Sequence, residues 1–405
     1  MKLLHTADWH LGKRLVDFPR IEEQRQVLEE ICGIAREEQV DVVLVAGDLY
    51  DQINPSNEAI ELFYQTLHRL SNNGKTAVIA LAGNHDAPDR IEAPHPLAKE
   101  CGIFLLGRPD SKLSSIRLES GLELTRSAPG FIEIKCPNVP FPLRLILTPY
   151  ANEVTFKRYL GKKDQEGELR KLLKNQWQQL VDKFCNNKGV NVLMTHLYLT
   201  EQGGTQPEEP EEEKPILHLG GAQAIYTEDI PDQIQYTALG HLHKYQIVSR
   251  KQSPVIYSGS PLAYSFAESD QKKYVVIIEA APGKPVVTRD IELKSGKKLY
   301  QKRFRKTEAA LQWLSRNPSA YVELTLVSDT FIESATKRKL YKAHSGIVSI
   351  IPELSQSQSE LSSSRIIDLT KDRKALFRDY FESRKGQKPA KAVMDLLSEI
   401  IDTDS

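Results

Sequence analysis

The 405-residue chain predicts a layered α/β fold. Three observations carry this. Short apolar runs alternate with amphipathic helical patterns through the first half. Hydrophobic residues make up 40% and charged residues 27%, an ordinary globular balance with enough apolar material for a core. Polar and charged residues also cluster at the C-terminal ends of these runs, where open α/β sheets carry their sites.

The elements follow in order. Lys2–Ala7 is a short apolar run, and Ile21–Glu38 sets Val27, Leu28, Ile31, Ile34 and Ala35 at helical spacing. Asp41–Ala46 is a β-branched run, Asn57–Leu70 is helical, and Thr76–Ala82 is a third run. Residues 103–150 read as strands. A helix over 167–185 gathers Leu172, Leu173, Trp177, Val181 and Phe184 on one face. Val190–Met194, Tyr236–Leu239, Val255–Ser258 and Tyr274–Glu279 read as further strands, with a polar loop at 202–214. The first domain is expected to span 1–280 and a small α/β domain 281–352. A Ser/Gln-rich linker follows at 353–370, then two amphipathic helices in 371–405.

Composition narrows the class. No apolar run reaches 18 residues, so no transmembrane helix is expected. The N-terminus lacks the apolar core of a secretory signal. Cys32, Cys101, Cys136 and Cys185 share no metal-binding spacing and are expected as small buried hydrophobes in a reducing cytoplasm. Net charge is +0, but residues 281–405 hold 23 basic against 16 acidic residues, and 1–280 hold 31 against 38. Any polyanion contact is therefore local.

The informative pattern is polar. Asp8-x-His10, Gly47-Asp48, Gly83-Asn84-His85-Asp86, Thr195-His196 and Gly240-His241-x-His243 each follow an apolar run. Singly they mean little. Together they supply carboxylate, imidazole and amide oxygen without thiolate, which suits Mn²⁺, Mg²⁺, Fe²⁺ or Zn²⁺ rather than a cysteine zinc site. The glycines beside Asp48, Asn84 and His241 are expected to allow tight turns.

The five blocks resemble the signature of calcineurin-like binuclear metallophosphoesterases. HTADWHLG at 5–12, VAGDLYD at 45–51, LAGNHD at 81–86, ALGHLHKYQI at 238–247 and YSGSPLAYSF at 257–266 are similar to the SbcD family. Its members are the bacterial counterparts of Mre-type nucleases. The resemblance implies a layered β-sandwich flanked by helices, with a smaller α/β capping domain and C-terminal helices. It implies two divalent ions, Mn²⁺ first and Mg²⁺ as the alternative. Asp8, His10, Asp48 and His243 would hold one, and Asp48, Asn84, His196 and His241 the other. His85 would assist the leaving oxygen and Asp86 would orient it; Asp51 could similarly hold His10.

The same resemblance implies a DNA nuclease subunit acting in repair, recombination and replication, cytoplasmic and associated with the nucleoid. It would form a homodimer within a heterotetramer with an SbcC-type SMC-like ATPase, gripped by the tail helices. Lys13, Arg14, Arg90 and Lys244 flank the blocks and are candidate DNA contacts. Within 294–306, a stretch with seven basic residues and no acid, Lys297, Lys298, Lys302, Arg303 and Arg305 join them, with Tyr300 and Phe304 as candidate stacking partners. The rival readings are another metallophosphoesterase, acting on phosphoproteins or cyclic nucleotides, and a DNA-end-binding scaffold.

Overall fold

The computed structural model describes residues 1–150, 167–204, 225–328, 332–354 and 373–385, with 389, 393, 394 and 397. Most of the polar loop, of the linker and of the second tail helix lies outside the described residues. The chain divides into two compact units, Met1–Tyr300 with Ser319–Tyr321, and Gln301–Pro318 with Val322–Ser405.

The first unit is built on two sheets. One has six strands, in the order Val287–Glu292, Tyr274–Glu279, Lys2–Thr6, Val42–Val45, Ala77–Leu81 and Ile103–Leu106. The last four run parallel; the first two pair antiparallel. The second sheet has eight strands, with Leu143–Thr148, Val190–Thr195, Tyr236–Leu239 and Val255–Tyr257 parallel at its centre.

Three apolar layers explain why the early strands read as unbroken hydrophobic runs. Val42 and Leu44 face the second sheet, with Leu3, Ile79, Leu145, Val192 and Ala238. Val43 and Val45 face the helices Ile21–Glu37 and Asn57–Leu70, against Val27, Ile31, Phe63 and Leu67. Both faces are covered, so neither set can be polar. On the outer side of the second sheet, Leu173, Trp177 and Val181 of the helix Gly167–Phe184 cover Phe131, Ile146 and Leu193. The two sheets thus lie between layers of helix.

His5 shows how a histidine can be structural. Its Nε2–H donates to the Leu239 carbonyl at 3.1 Å, and Nδ1 accepts from the Tyr236 hydroxyl at 2.9 Å. Burial pushes its pKa down to about 3, so it stays neutral inside the sandwich. The cysteines are free; Cys136 is buried and the other three are half-buried.

The second unit has a three-stranded sheet in the order Leu299–Phe304, Tyr321–Ser328, Ile347–Leu354. The last two are parallel. Helices Thr307–Ser315 and Ser334–Ala343 connect them and bury Ala310, Leu314 and Leu340. The helix Arg373–Lys385 follows, with the Phe377 and Phe381 rings 5.9 Å apart and Tyr380 52% exposed. No helix among the described residues is long and apolar enough to cross a membrane.

Candidate metal centre

Parallel strands in register end at one edge, and that edge carries all five blocks. Thr6 pairs with Val45 and Val45 with Ala80 in one sheet, and Thr195 with Leu239 in the other. The loops that follow bring Asp8, His10, Asp48, Asn84, His85, His196, His241 and His243 together, nearly all of them buried.

The backbone bends sharply there. Asp8, His10, Asp48 and His241 have φ of 54°, 43°, 49° and 103°, a region L-residues avoid at a cost of about 1–3 kcal/mol each. The Asp8 N–H donates to the Gly47 carbonyl at 3.0 Å and the His10 N–H to the Asp48 carbonyl at 2.9 Å, which locks the two loops in this form.

The side chains then aim electron pairs at one another. His196 Nδ1–H donates to the Ala46 carbonyl at 2.8 Å, so Nε2 is the nitrogen turned to the centre. That atom lies 2.9 Å from Asn84 Oδ1 and 3.3 Å from Asp48 Oδ2. His243 Nδ1–H donates to Glu268 Oε1 at 3.2 Å, and its Nε2 faces His10 Nε2 at 3.0 Å. His10 Nε2 is 3.4 Å from Asp48 Oδ2. His241 Nδ1 is 3.2 Å from Asn84 Oδ1, and its backbone N–H donates to Asp8 Oδ1 at 2.8 Å. Asp8 Oδ2 and Asp48 Oδ2 are buried with no hydrogen-bond donor. Such a set repels itself unless cations lie among its members. The donor chemistry fits divalent ions that accept mixed oxygen and imidazole ligands. Asp8, His10 and Asp48 offer atoms within 4.8 Å of one another, and so do His10, Asp51 and His85.

The titrating groups report the same field. Burial pushes Asp8 up to about 7. Burial also opposes the Asp48 charge, but the adjacent His196 and His10 hold that carboxyl well below its ordinary value. Burial lowers His10 far below its usual range, which keeps it a neutral donor. Burial likewise opposes charge on His196, yet Asp48 overrides it and the pKa rises to about 9. The pocket selects positive charge at Asp48.

Supporting residues complete the site. Asp86 accepts backbone N–H bonds from Gly83 at 2.8 Å, Leu49 at 3.0 Å and Tyr50 at 2.9 Å, which fixes the loop carrying His85. The His85 ring is held by Nδ1–H donation to the Asp51 carbonyl at 2.9 Å. Its backbone N–H donates to Asp48 Oδ1 at 3.0 Å. The Asp51 carboxylate lies 3.9 Å from His10 Nδ1, beyond hydrogen-bond reach, and 3.3 Å from Lys13 Nζ. Glu268, Lys273 and Tyr264 are not legible as site residues in the sequence. Tyr264 sets its ring against His10 and His243, at 5.5 and 6.0 Å between centroids. Tyr264 lies inside the YSGSPLAYSF block, whereas no motif marks Glu268 or Lys273 and only their proximity to that block points toward them.

The glycines act differently from the expectation of tight turns. Gly47 alone of the three has a left-handed backbone, with φ of 93°. Gly83 and Gly240 lie outside that region and are needed for space. A Cβ at Gly83 would strike the Asp48 carboxylate, and one at Gly240 would strike the Ala46 carbonyl and His196. Gly240→Ala should therefore destabilise the chain by about 1–3 kcal/mol, the cost of forcing atoms into a packed interior. A thermal melt on the metal-stripped protein checks this; an unchanged midpoint would show that the two sheets yield freely there.

The basic candidates are spread. Lys13 pairs with Asp51, Arg14 donates to the Asp17 carbonyl, and Arg90 donates to Asn54 Oδ1 at 3.0 Å. Lys244 is half-buried beside His243. In the basic stretch, Lys297 lies over the Tyr321 ring at 4.8 Å and Lys298 is exposed. Lys302 lies over the Trp313 ring at 5.7 Å, and Arg303 forms a two-point pair with Glu353 at 2.8 and 2.6 Å. Arg305 is exposed, whereas Phe304 packs on Trp313 at 6.2 Å.

The fold and the centre define a calcineurin-like phosphoesterase, and the family model of that description matches residues 1–245. The chain is 33% identical over 417 residues, 100% of each chain, to a Bacillus subtilis protein named as the SbcD component of the nuclease SbcCD. A Rhodobacter capsulatus protein of the same name is 33% identical over 284 residues, 70% of this chain and 67% of that one. Among solved structures, a dimetal phosphatase from Danio rerio has a TM-score of 0.39 at 12% identity, covering 73% of this chain and 99% of that one. Within the calcineurin-like phosphoesterases, the chain belongs to the SbcD family.

Proposed function

We propose that this protein is a metal-dependent DNA nuclease subunit. The observation that carries the reading is the convergence of His10 and His196 on Asp48 Oδ2, a buried oxygen with no donor, with Asn84 Oδ1 beside His196 Nε2. Asp8, His10, Asp48 and His243 would hold one divalent ion, and Asp48, Asn84, His196 and His241 a second, with Asp48 shared. Mn²⁺ is the proposed metal and Mg²⁺ the alternative. When bound, such ions neutralise phosphate oxygens and make water a nucleophile near neutral pH.

The chain's own part is positioning and proton handling. The Ala46 carbonyl and Glu268 fix which nitrogen His196 and His243 turn to the centre. The Asp51 carbonyl does the same for His85, so that the ring in its protonated form would give its Nε2 proton to the departing 3′-oxygen. Asp86 keeps that loop in place. Lys13, Arg14, Arg90 and Lys244 would steer the DNA backbone, and Lys297, Lys298, Lys302, Arg303 and Arg305 would extend the contact. We place the chain in the cytoplasm on the nucleoid, as a homodimer joined to an SMC-like ATPase. Duplex ends would be cut exonucleolytically with ATP, and single strands and hairpins endonucleolytically. Relatedness to an SbcD protein over the full length supports this over a protein phosphatase, a cyclic-nucleotide diesterase or an inert end-binder.

The test is direct. Pure protein with Mn²⁺ or Mg²⁺ is offered single-stranded circles, blunt duplex and hairpins, with and without the ATPase. DNA cleavage is expected. Hydrolysis of a phosphoprotein or cyclic nucleotide with no action on DNA would overturn the reading.

The tail gives a second test. The helix Arg373–Lys385 presents Leu376, Phe377, Tyr380 and Phe381, a stripe suited to helix-in-groove docking. Deleting 371–405 should leave hydrolysis of a small phosphodiester intact and abolish stable co-purification with the ATPase. Full retention of the ATPase by the truncated chain would move the partner surface elsewhere.

A further inference from the structure

His243 is gripped more elaborately than the other histidines of the centre. Its ring donates through Nδ1–H to Glu268 Oε1 at 3.2 Å. Its backbone carbonyl accepts from Lys273 Nζ at 2.9 Å and from the Ser260 N–H at 3.1 Å. Lys273 Nζ also donates to Glu268 Oε2 at 2.5 Å, to Ser260 Oγ at 3.0 Å and to Gln271 Oε1 at 3.2 Å. The Glu268 and Lys273 side chains are 4% and 8% exposed.

A lysine buried this deeply loses its hydration and is retained only with full compensation. Three of the four contacts of its ammonium group go to His243 itself or to Glu268 and Ser260, which hold His243. Gly259 belongs to the same arrangement. Its φ is 75°, and a Cβ there would strike the His243 carbonyl and the Tyr245 N–H. The chain from Tyr257 to Leu262 thus wraps the His243 backbone while Glu268 holds its ring.

We propose that Glu268 and Lys273 are positioning residues for His243, with Lys273 joining the ring clamp to the backbone clamp. The Glu268 carboxylate fixes the tautomer and strengthens Nε2 as a donor toward a divalent ion, while Lys273 balances the buried carboxylate and pins the His243 main chain. The role of the YSGSP segment follows: it seats this clamp. The inference rests on the reading of His243 as a metal ligand.

The experiment uses the full chain, stripped of metal and titrated with Mn²⁺ by calorimetry, with the Mn²⁺ spin-resonance spectrum as a second readout. Wild type should bind two ions with a spin-coupled spectrum. Glu268→Gln should weaken one of the two by about 10–100-fold, the usual cost of losing a partner behind a metal-bound histidine, and leave the other unchanged. The coupled spectrum should give way to that of an isolated ion. Glu268→Gln/Lys273→Met removes the stranded lysine charge and should restore the melting temperature of the metal-free protein, but not the weakened ion. Wild-type affinity for both ions in the single variant would overturn the inference. So would recovery of full affinity in the double variant, which would make the pair a fold-stabilising element only. A wild-type chain that binds no divalent ion would overturn the metal reading itself, and this inference with it.

Discussion

Asp48→Ala should lower phosphodiester hydrolysis by about 10³-fold or more, the several kcal/mol that metal ions supply to such reactions. The chain should remain folded. Asp48 is fully buried in the loop after the strand Val42–Val45, outside the apolar clusters that hold the sheets and helices together. Its two oxygens do separate work. Oδ1 accepts the His85 N–H, and Oδ2 faces His10 and His196. Removing them should strip the proposed shared ligand and loosen the loop carrying His85. Far-UV circular dichroism checks the fold, and Mn²⁺ titration should show the loss of both ions. Retention of hydrolysis in the variant, or in wild type after exhaustive chelation, would sink the two-metal account.

His85→Ala should act by a different route. Both ions and DNA affinity should persist while turnover falls by about 10²-fold or more, the scale of a removed general acid. The geometry makes the experiment sharp, because His85 also lies near His10 and Asp51, a trio whose donor atoms could themselves share an ion. Loss of one bound ion in the variant would make His85 a ligand and leave the leaving group without its proposed acid.

The fold class and the five polar blocks are legible in the sequence, for identifiable reasons. Polar blocks at the ends of apolar runs are visible because parallel strands terminate in register, as Thr6 does with Val45. Unbroken runs such as Val42–Val45 reveal strands covered on both faces. What stays hidden is set by tertiary approach. Gly83 and Gly240 read as turn glycines, yet their need is for space against Asp48 and Ala46, residues distant in the chain. Lys273 stands next to Lys272 in the sequence with no motif to set it apart, yet it is buried against four acceptors. The strand Val287–Glu292 continues the first sheet past residue 280 because it pairs along Tyr274–Glu279, and its mixed polar pattern reflects exposure on an outer edge. Phe304 reads as a base-stacking candidate beside the basic residues; packing on Trp313 engages it.

The central claim is that two divalent ions share Asp48. Anomalous scattering from crystals grown with Mn²⁺, recorded at the manganese edge, tests it most directly. The account predicts two peaks flanking Asp48, one ringed by Asp8, His10 and His243 and the other by Asn84, His196 and His241. A single peak, or one seated among His10, Asp51 and His85 with none beside His196, would contradict it.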